Sequence, residues 1–281
     1  MFTVVIPCRN EERWIGRCLD AIAAQKALKA GHGIQIIVAA NACQDATVTV
    51  GRAHVPGLKA AGFVVDIVEI PVPGKTGAIN QAETLARHGS RVYLDADVVV
   101  SCDLFSVLGE VLSAKHPVFV SAVVVVPTPK SRLTQAYARM WTRLPFSREV
   151  PGVGMYAVNA SGRQRWAVFP AIYADDRFVR SSFAAHERHA VGSTYEWPLP
   201  EGILNLVRVQ CRWAEGNAEL VRKLPRLRKN SRSGNFRLAS LFALVADPWP
   251  GVVFVTVSVL GRILWRFCDA SDENGWHRGR L

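Results

Sequence analysis

The first hundred residues alternate between short apolar runs and longer segments in which apolar residues recur three and four positions apart. The apolar runs predict four strands: Phe2–Ile6, Ile34–Ala39, Phe63–Ile70 and Val92–Leu94. The segments between them predict helices that each bury one face. Strand and helix in alternation favour an α/β fold with a mostly parallel sheet flanked by helices.

A polar loop follows each predicted strand. The four loops are Arg9–Glu12, Asn41–Asp45, Gly74–Lys75 and Asp95–Asp97. Because ligands in open α/β sheets bind beyond the carboxyl ends of the strands, we expect these loops to share one rim. Asn10 is expected to cap the helix that follows it, and Asp45 and Thr47 are expected to stabilise the start of the next helix.

The fourth loop carries two carboxylates, Asp95 and Asp97, on either side of Ala96, whose small side chain leaves room for a ligand. Carboxylate oxygens are the ligands that Mg²⁺ and Mn²⁺ prefer. Asp-x-Asp alone is a weak signal, because two acids after a strand usually form a solvated turn. The three polar loops before it make a metal site the favoured interpretation.

The second half of the chain opens on a β-branched run, Val118–Val126, which predicts a fully buried strand. A helix is predicted over Gln135–Trp141. Pro127–Pro129 marks the change between the first two of three predicted regions. These are a donor-binding region at 1–128, an acceptor and catalytic region at 129–220, and a basic and apolar helical extension at 221–281. Gly152 and Gly154 allow either the close approach of a ligand or strand, or ordinary tight turns.

The chain is strongly basic, with a formal net charge of +11 over 281 residues. A polyanionic partner is therefore expected: phosphates, an acidic membrane surface or nucleic acid. The basic stretch Arg222–Arg237 has almost no interleaved aromatic residues, which argues against nucleic acid. Six cysteines without a Cys-x-x-Cys pair argue against structural zinc and a disulfide framework, so we expect a reducing cytoplasm. The first strand lacks a basic segment before it, so no signal peptide is expected.

Two interpretations of the C-terminal region stay open. The basic stretch Arg222–Arg237 is either a solvated loop or a surface that attracts anionic lipid heads or a phosphate-bearing acceptor. The apolar stretch Leu238–Trp265 is interrupted by Asp247–Pro250. Its uninterrupted part, Gly251–Gly261, is shorter than the about 20 residues that span a bilayer. It predicts a packed helix or a helix lying on a membrane surface.

Four segments, in this order and spacing, resemble the donor half of family 2 glycosyltransferases, which have the Rossmann-like GT-A fold. They are VVIPCRNEERWIGRCLDAI, IIVAANACQDAT, GKTGAINQA and VYLDADVVVS. The resemblance covers about the first hundred residues. It implies transfer of a sugar from a nucleotide-diphospho donor, usually with inversion at the anomeric carbon, using Mg²⁺ or Mn²⁺.

The resemblance also implies roles for individual residues. The nucleoside pocket is lined by Pro7, Arg9, Asn10 and Glu11. Lys75 approaches the base or the phosphates, and Asp95 and Asp97 form the metal motif around Ala96.

The segment Ala40–Cys43 departs from the family, which often has Asp-Asp-Gly-Ser here. Ala40 lacks a carboxylate that commonly accepts a hydrogen bond from uracil, whereas Asn41 can still bond to a base. UDP is therefore in doubt as the nucleotide, and GDP stays open.

An acidic pair, Asp175 and Asp176, follows a Gly- and Pro-containing segment. In the resembling family such a pair opens a helix. Its second member, here Asp176, is the general base that takes the proton of the acceptor hydroxyl. Asp175 is then expected to orient neighbouring groups. The simpler interpretation is that both acids only stabilise a helix N-terminus.

Arg212 is expected to hold the donor diphosphate, because a guanidinium fork matches phosphate oxygens. Processive synthases have Gln-x-x-Arg-Trp at this level. Here Gln210 is one residue too close to Arg212 and Trp213, which argues against a processive enzyme. His186 and His189 either reach the metal or diphosphate or are ordinary surface residues.

The sequence thus predicts an inverting, metal-dependent, non-processive glycosyltransferase, acting on hexoses. It would use a UDP- or GDP-linked donor and a hydroxyl acceptor that the sequence does not identify, in the cytoplasm or at the inner face of the membrane. One alternative is a non-catalytic module that binds a nucleotide or a membrane surface. A second is a sugar-phosphate nucleotidyltransferase, which would normally show a Gly-rich loop where this chain has Cys8–Glu11.

Overall fold

A computed structural model describes residues 1–26, 33–148, 150–227, 230 and 244–265. One eight-stranded sheet runs through this part of the chain. Its strands are β1 (Phe2–Cys8), β2 (Gln35–Asn41), β3 (Val64–Ile70), β4 (Ser90–Leu94), β5 (Val99–Val100), β6 (Phe119–Val125), β7 (Met155–Val158) and β8 (Arg188–Glu196). The first four and β6 lie within one or two residues of where the apolar runs predict them.

Helices cover both faces of this sheet. They are α1 (Ile15–Ala23), α2 (Thr47–Ala60), α3 (Lys75–Glu83), α4 (Leu104–Val111), α5 (Arg132–Trp141), α6 (Pro145–Arg148), α7 (Ala160–Arg163), α8 (Asp175–Ser181), α9 (Ile203–Lys223) and α10 (Pro248–Leu264). Short 3₁₀ turns lie at Ala185–Glu187 and Pro225–Leu227.

The strands follow the order β3-β2-β1-β4-β7-β6-β8-β5. The half formed by β3, β2, β1 and β4 is entirely parallel. β7 then lies antiparallel between β4 and β6, β8 runs parallel to β6, and β5 pairs antiparallel with β8. The sheet is therefore mixed, and the parallel half is the one that carries the four predicted loops.

Burial on both faces explains the continuous apolar runs. Every residue of β1, β2 and β4 is buried, as expected for parallel strands covered by helices. One face packs against α1 through Ile15, Cys18, Leu19 and Ile22. The other packs against α3, so the sheet lies between two apolar layers.

Two local predictions are wrong. Asn10 does not cap α1: its backbone φ is 54°, the helix begins at Ile15, and the Asn10 side chain bonds to another loop. β6 is not fully buried, because Val123 and Val125 are 49% and 41% exposed. Side chains alternate along a strand, so Val124 faces the core while its two neighbours face outward.

In the described part of the C-terminal extension, α10 packs against α5 and α9. The ring of Phe254 on α10 stacks on Tyr137 of α5 with centroids 5.2 Å apart, and Gly261 lies directly against Gln210 of α9. Of the basic stretch Arg222–Arg237, residues 228, 229 and 231–237 lie outside the described residues. Within the described ranges, no helix is both long enough and apolar enough to cross a bilayer.

Gly154 occupies a turn that joins two parts of the structure. Its φ is +70°, and its carbonyl accepts a hydrogen bond from the Asp95 backbone N–H at 2.8 Å. A Cβ built on Gly154 would lie 2.7 Å from Cδ1 of Trp197. The close approach that this glycine permits is therefore to the Trp197 indole.

We expect Gly154→Ala to destabilise the fold by about 2 kcal/mol or more, because alanine is strained at positive φ and its methyl group would displace Trp197. Gly77→Ala is the matched control, since Gly77 lies in α3 with no heavy atom within 4 Å of its added Cβ. That control should be neutral or slightly stabilising. Urea unfolding measures the stability of both variants. Equal unfolding midpoints for the two would contradict this account of the Gly154 turn.

Candidate functional site

The loops after β1 and β2 are bound to each other at the carboxyl edge of the sheet. Asn10 Oδ1 accepts a hydrogen bond from the Gln44 N–H at 2.8 Å. Glu12 N–H donates to Asp45 Oδ2 at 3.1 Å, and Glu12 Oε2 accepts from the Ala46 N–H at 3.0 Å. Reciprocal bonds of this kind fix the two loops as one wall.

The residues expected to line a nucleoside pocket lie along this wall. Pro7 is buried near the end of β1, in register with Ala39 of β2. Glu11 is also buried, and its N–H donates to Thr47 Oγ1 at 2.6 Å. Arg9 is half-buried and Asn10 is exposed at the rim. Asp45 stabilises the start of α2 as predicted, by accepting from the Thr47 N–H at 3.0 Å.

Asn41 clamps the loop after β3 to the end of β2. Its Oδ1 accepts from the Gly74 N–H at 2.7 Å, and its Nδ2 donates to the Val72 carbonyl at 2.6 Å. Asn41 is fully buried. The structure therefore gives it a positioning contact to the loop that precedes Lys75, which local sequence alone did not indicate.

Lys75, the first residue of α3, lies at the centre of the site. Its Nζ is 2.9 Å from Asp95 Oδ1 and 3.0 Å from Asp175 Oδ1. The carboxylates come from the end of β4 and the start of α8, 80 residues apart in the chain. Burial alone would lower the pKa of Lys75, but the charges of Asp175 and Asp95 outweigh it and raise that pKa above its usual range.

Asp175 is held from the other side by a tyrosine that the sequence did not single out. Tyr156 of β7 donates its hydroxyl to Asp175 Oδ2 at 2.9 Å. Its ring packs against Tyr93 of β4 with centroids 4.9 Å apart. With both oxygens occupied and its side chain only 3% exposed, Asp175 has one defined orientation.

Asp176 is half-buried and has a different environment from its neighbour. Its Oδ1 accepts from the Arg177 backbone N–H at 2.7 Å. Desolvation first, and then the charge of Asp175, raise the pKa of Asp176 to about 6, although Lys75 opposes the shift. A carboxyl with this pKa is ionised at neutral pH and can accept a proton readily.

Asp95, Ala96 and Asp97 form the turn that leaves β4. Ala96 and Asp97 are buried, and Asp95 is partly exposed to the cleft. The Val98 N–H donates to the Asp95 carbonyl at 3.1 Å, which closes the turn. Burial first, and then the charges of Asp97 and Asp95, raise the pKa of the Cys18 thiol on α1. The two carboxylates therefore project a negative potential into this corner.

This turn suits a divalent cation that keeps ligands from a substrate. Within the described ranges, no group of three or more His, Cys, Asp or Glu residues is arranged to hold a metal ion. Mg²⁺ and ions like it are commonly bound by one or two carboxylates together with substrate phosphates. Asp95 and Asp97 supply such a pair, and the ammonium of Lys75 beside Asp95 shows that a positive charge is accommodated there.

α9 closes the side of the cleft opposite the parallel strands. Arg177 Nη1 donates to Asn217 Oδ1 at 2.5 Å, and the Tyr173 N–H donates to Glu219 Oε2 at 2.9 Å. Trp213 stacks on Trp197, the indole that lies against Gly154, with centroids 6.1 Å apart. These contacts link α9 to both α8 and the Asp95 turn.

The remaining predicted residues are Arg212, His186 and His189. Arg212 is half-buried on α9 beside Trp213. His186 is exposed in a 3₁₀ turn. His189 of β8 is in register with Val120 of β6, and through β7 with Val92 of β4. It therefore lies three strand spacings from β4, or about 14 Å, and level with a residue three positions before Asp95. The structure brings neither histidine into contact with Lys75 or its two carboxylates.

Three solved structures illustrate what this fold is similar to. A mannosyltransferase from Pyrobaculum calidifontis, in complex with GDP-Man and Mn²⁺, matches with 20% identity and a TM-score of 0.58, over 91% of this chain and 73% of that chain. Glucosyl-3-phosphoglycerate synthase from Mycobacterium tuberculosis, in complex with Mn²⁺, UDP-glucose and glycerol 3-phosphate, matches with 18% identity and a TM-score of 0.54, over 80% of each chain. Mannosyl-3-phosphoglycerate synthase from Rubrobacter xylanophilus matches with 20% identity and a TM-score of 0.53, over 84% of this chain and 78% of that chain.

At these identities the likeness shows the GT-A fold. A search of curated proteins finds no match. The family model for glycosyl transferase family 2 matches residues 3–167, which is more than half of the chain and includes the loops after β1 to β4. The predicted GT-A architecture is thereby confirmed, and the chain belongs to glycosyl transferase family 2.

Proposed function

We propose that this glycosyltransferase transfers one sugar from a nucleotide-diphosphate donor to an acceptor hydroxyl, with inversion and with a divalent cation. The observation that carries the proposal is the position of Lys75. One ammonium lies within 3.0 Å of a carboxylate from the donor motif and of a carboxylate from α8. The two halves of a transfer site therefore meet at one point.

Asp95 and Asp97 would hold the cation, Mn²⁺ or Mg²⁺, together with the donor phosphates. The cation supplies positive charge that stabilises the departing diphosphate. Two of the structural neighbours are described as complexes with Mn²⁺ and a nucleotide sugar, which supports this assignment. Lys75 adds a second positive charge beside the same position, and Arg212 is proposed as a further contact to the diphosphate.

Asp176 is proposed as the general base. An acceptor hydroxyl is a weak nucleophile, and a carboxylate that takes its proton as the new bond forms lowers the barrier. A single base is sufficient for direct displacement with inversion, because no covalent sugar–enzyme intermediate has to form. Asp175 is proposed as the positioning residue, since Lys75 and Tyr156 fix it and it precedes Asp176 at the start of α8. Both acids lie beyond the matched residues 3–167, so the proposal for them rests on geometry.

The donor nucleotide is proposed to be UDP or GDP, bound along the wall that includes Pro7, Arg9, Asn10 and Glu11. GDP-Man and UDP-glucose occur in the described complexes of two neighbours. Ala40 is buried in β2 and carries no carboxylate for a uracil. Direct titration of both nucleotides with Mn²⁺ would decide between them, as would a panel of hexose donors for the sugar.

A single transfer per binding event is proposed, because Gln210 is not available to a growing polymer. Its Nε2 donates to the Tyr137 hydroxyl, inside the contact between α9 and α5. This contact, and the spacing that puts Gln210 one residue too close to Arg212 and Trp213 for the processive Gln-x-x-Arg-Trp pattern, support the proposal. Action at the cytoplasmic face of a membrane stays a prediction.

We expect Asp176→Asn to retain donor binding while the transfer rate falls by about 10²- to 10⁴-fold, the usual contribution of a general base. Calorimetry with the nucleotide and Mn²⁺ measures the binding, and a donor-consumption assay with added acceptor measures the rate. Asp20→Asn is the matched control, because the Asp20 side chain is 72% exposed on α1. A wild-type rate in Asp176→Asn would refute the assignment of the base.

We expect Asp97→Asn to abolish the coupling between Mn²⁺ and donor binding. The nucleotide should then bind equally weakly with and without the ion, because one of two carboxylate ligands is lost. The same titration on wild-type protein should show a clear increase in affinity with Mn²⁺. Absence of coupling in the wild type would favour the non-catalytic module over the metal-dependent enzyme.

The raised pKa of Asp176 predicts opposite pH effects on activity and on stability. Transfer should fall as pH drops through about 6, because the base becomes protonated. A carboxyl whose pKa is higher in the folded protein favours folding in its protonated form, so its cost to stability grows as pH rises from the ordinary range of Asp to about 6 and is fully present above that. Asp176→Asn should therefore raise the melting temperature at pH 8 and leave it nearly unchanged at pH 4. Thermal unfolding at both pH values tests this, and equal shifts would contradict it.

A further inference from the structure

The outward face of α10 is largely apolar, although Thr256 and Arg262 are also exposed on this helix. Of the seventeen large apolar side chains exposed in the described part of the chain, eight lie between residues 245 and 264. They are Val245, Trp249, Val252, Val255, Val259, Leu260, Ile263 and Leu264. Scattered exposed apolar residues are ordinary, but seven on one helix and an eighth just before it mark an interaction surface. We call these eight residues the α10 patch.

The inner face of the same helix is already used. Val253 and Val257 are buried in the main core, and Gly261 allows the backbones of α10 and α9 to approach closely. A helix that is apolar on all sides is normally covered on all sides. α10 has 17 residues and one face packed on protein. Such a helix suits a position on the surface of a bilayer and not across it.

Positive charge flanks the patch at both ends. Before α10, the guanidinium groups of Arg139 and Arg143 each lie 2.6 Å from Asp247, so two cations share one carboxylate. Near its end, Arg262 is exposed. In the sequence, residues 221–281 hold eleven Arg and Lys against four Asp and Glu, a net charge of +7 out of +11 for the chain.

We propose that α10 docks this protein onto an anionic lipid bilayer. The α10 patch would enter the headgroup region, with the flanking arginines against lipid phosphates. Trp249, 61% exposed at the start of the helix, is the residue type enriched at membrane interfaces. A two-fold antiparallel contact between α10 helices of two copies is disfavoured, because it would bring Arg262 of each copy towards Arg139 and Arg143 of the other. This docking is independent of the proposed transfer chemistry.

The test is co-sedimentation of the full chain with vesicles of phosphatidylglycerol and phosphatidylcholine, and with vesicles of phosphatidylcholine alone. We expect binding to the anionic vesicles that weakens as salt is raised, and much weaker binding to the neutral ones. Phosphatidylglycerol with brominated acyl chains should quench part of the tryptophan fluorescence. That quenching should shrink in Trp249→Phe.

The double variant Val252→Asn with Val259→Asn should lose about tenfold or more in vesicle affinity, because two apolar side chains no longer enter the bilayer. Valine and asparagine have similar helix propensities, so α10 should persist. The matched control is Val168→Asn with Val221→Asn. Those positions are 68% and 48% exposed, against 60% and 45% for the test pair, and lie outside α10. Circular dichroism and melting temperature confirm that both variants are folded.

Retained binding in the control and loss in the test variant would support the proposal. Equal loss in both variants, or no binding of wild-type protein to anionic vesicles, would overturn it. A third outcome would also overturn it: the wild-type protein does not bind vesicles but forms a concentration-dependent dimer, and the α10 double variant is monomeric. The α10 patch would then be the contact surface for a second copy of the chain.

Discussion

The two ion pairs of Lys75 are the interaction on which the rest of the site depends. Charges in a partly desolvated cleft are costly unless each has a partner. The ammonium lies between Asp95 and Asp175, within 3.0 Å of both, and offsets the repulsion between their charges. The charge of Asp176 also acts on Lys75 and raises its pKa, so three carboxylates surround one ammonium. Such a corner is short of positive charge, which is the electrostatic condition for recruiting a divalent cation before an anionic donor binds.

The fold meets this constraint by joining a parallel half-sheet to an antiparallel strand. The parallel strands deliver Lys75 and Asp95 to one edge, because parallel strands end on the same side. β7 runs the other way beside β4, so Tyr156 reaches the same edge and its hydroxyl meets Asp175. Gly154, at the start of β7, binds the backbone of Asp95. The antiparallel strand β7 thus brings the Asp95–Asp97 turn and the start of α8 together.

The parallel half could be predicted from sequence because its information is local. Each apolar run stands beside its own polar loop, and together these indicated that Lys75 and Asp95 lie at one rim. Asp175 lies outside this half and was singled out only by the family resemblance. Tyr156 and Trp197 could not be found in this way, because their importance comes from contacts with other elements: Tyr156 with Tyr93 and Asp175, and Trp197 with Gly154. Asn10 misled for a related reason: its side chain bonds to Gln44 in the next loop and not to its own helix.

Asp175 and Asp176 show how a single helix start can separate two functions. The first carboxylate has an ammonium and a phenol as partners, and its orientation is fixed on both oxygens. The second has one backbone N–H, and burial beside its charged neighbour raises its pKa to about 6. Unequal environments for adjacent carboxyls are how proteins divide acid–base work. The same burial makes the ionised form of Asp176 unfavourable in the folded protein. The residue most suited to accept a proton therefore lowers the free energy of unfolding at neutral pH.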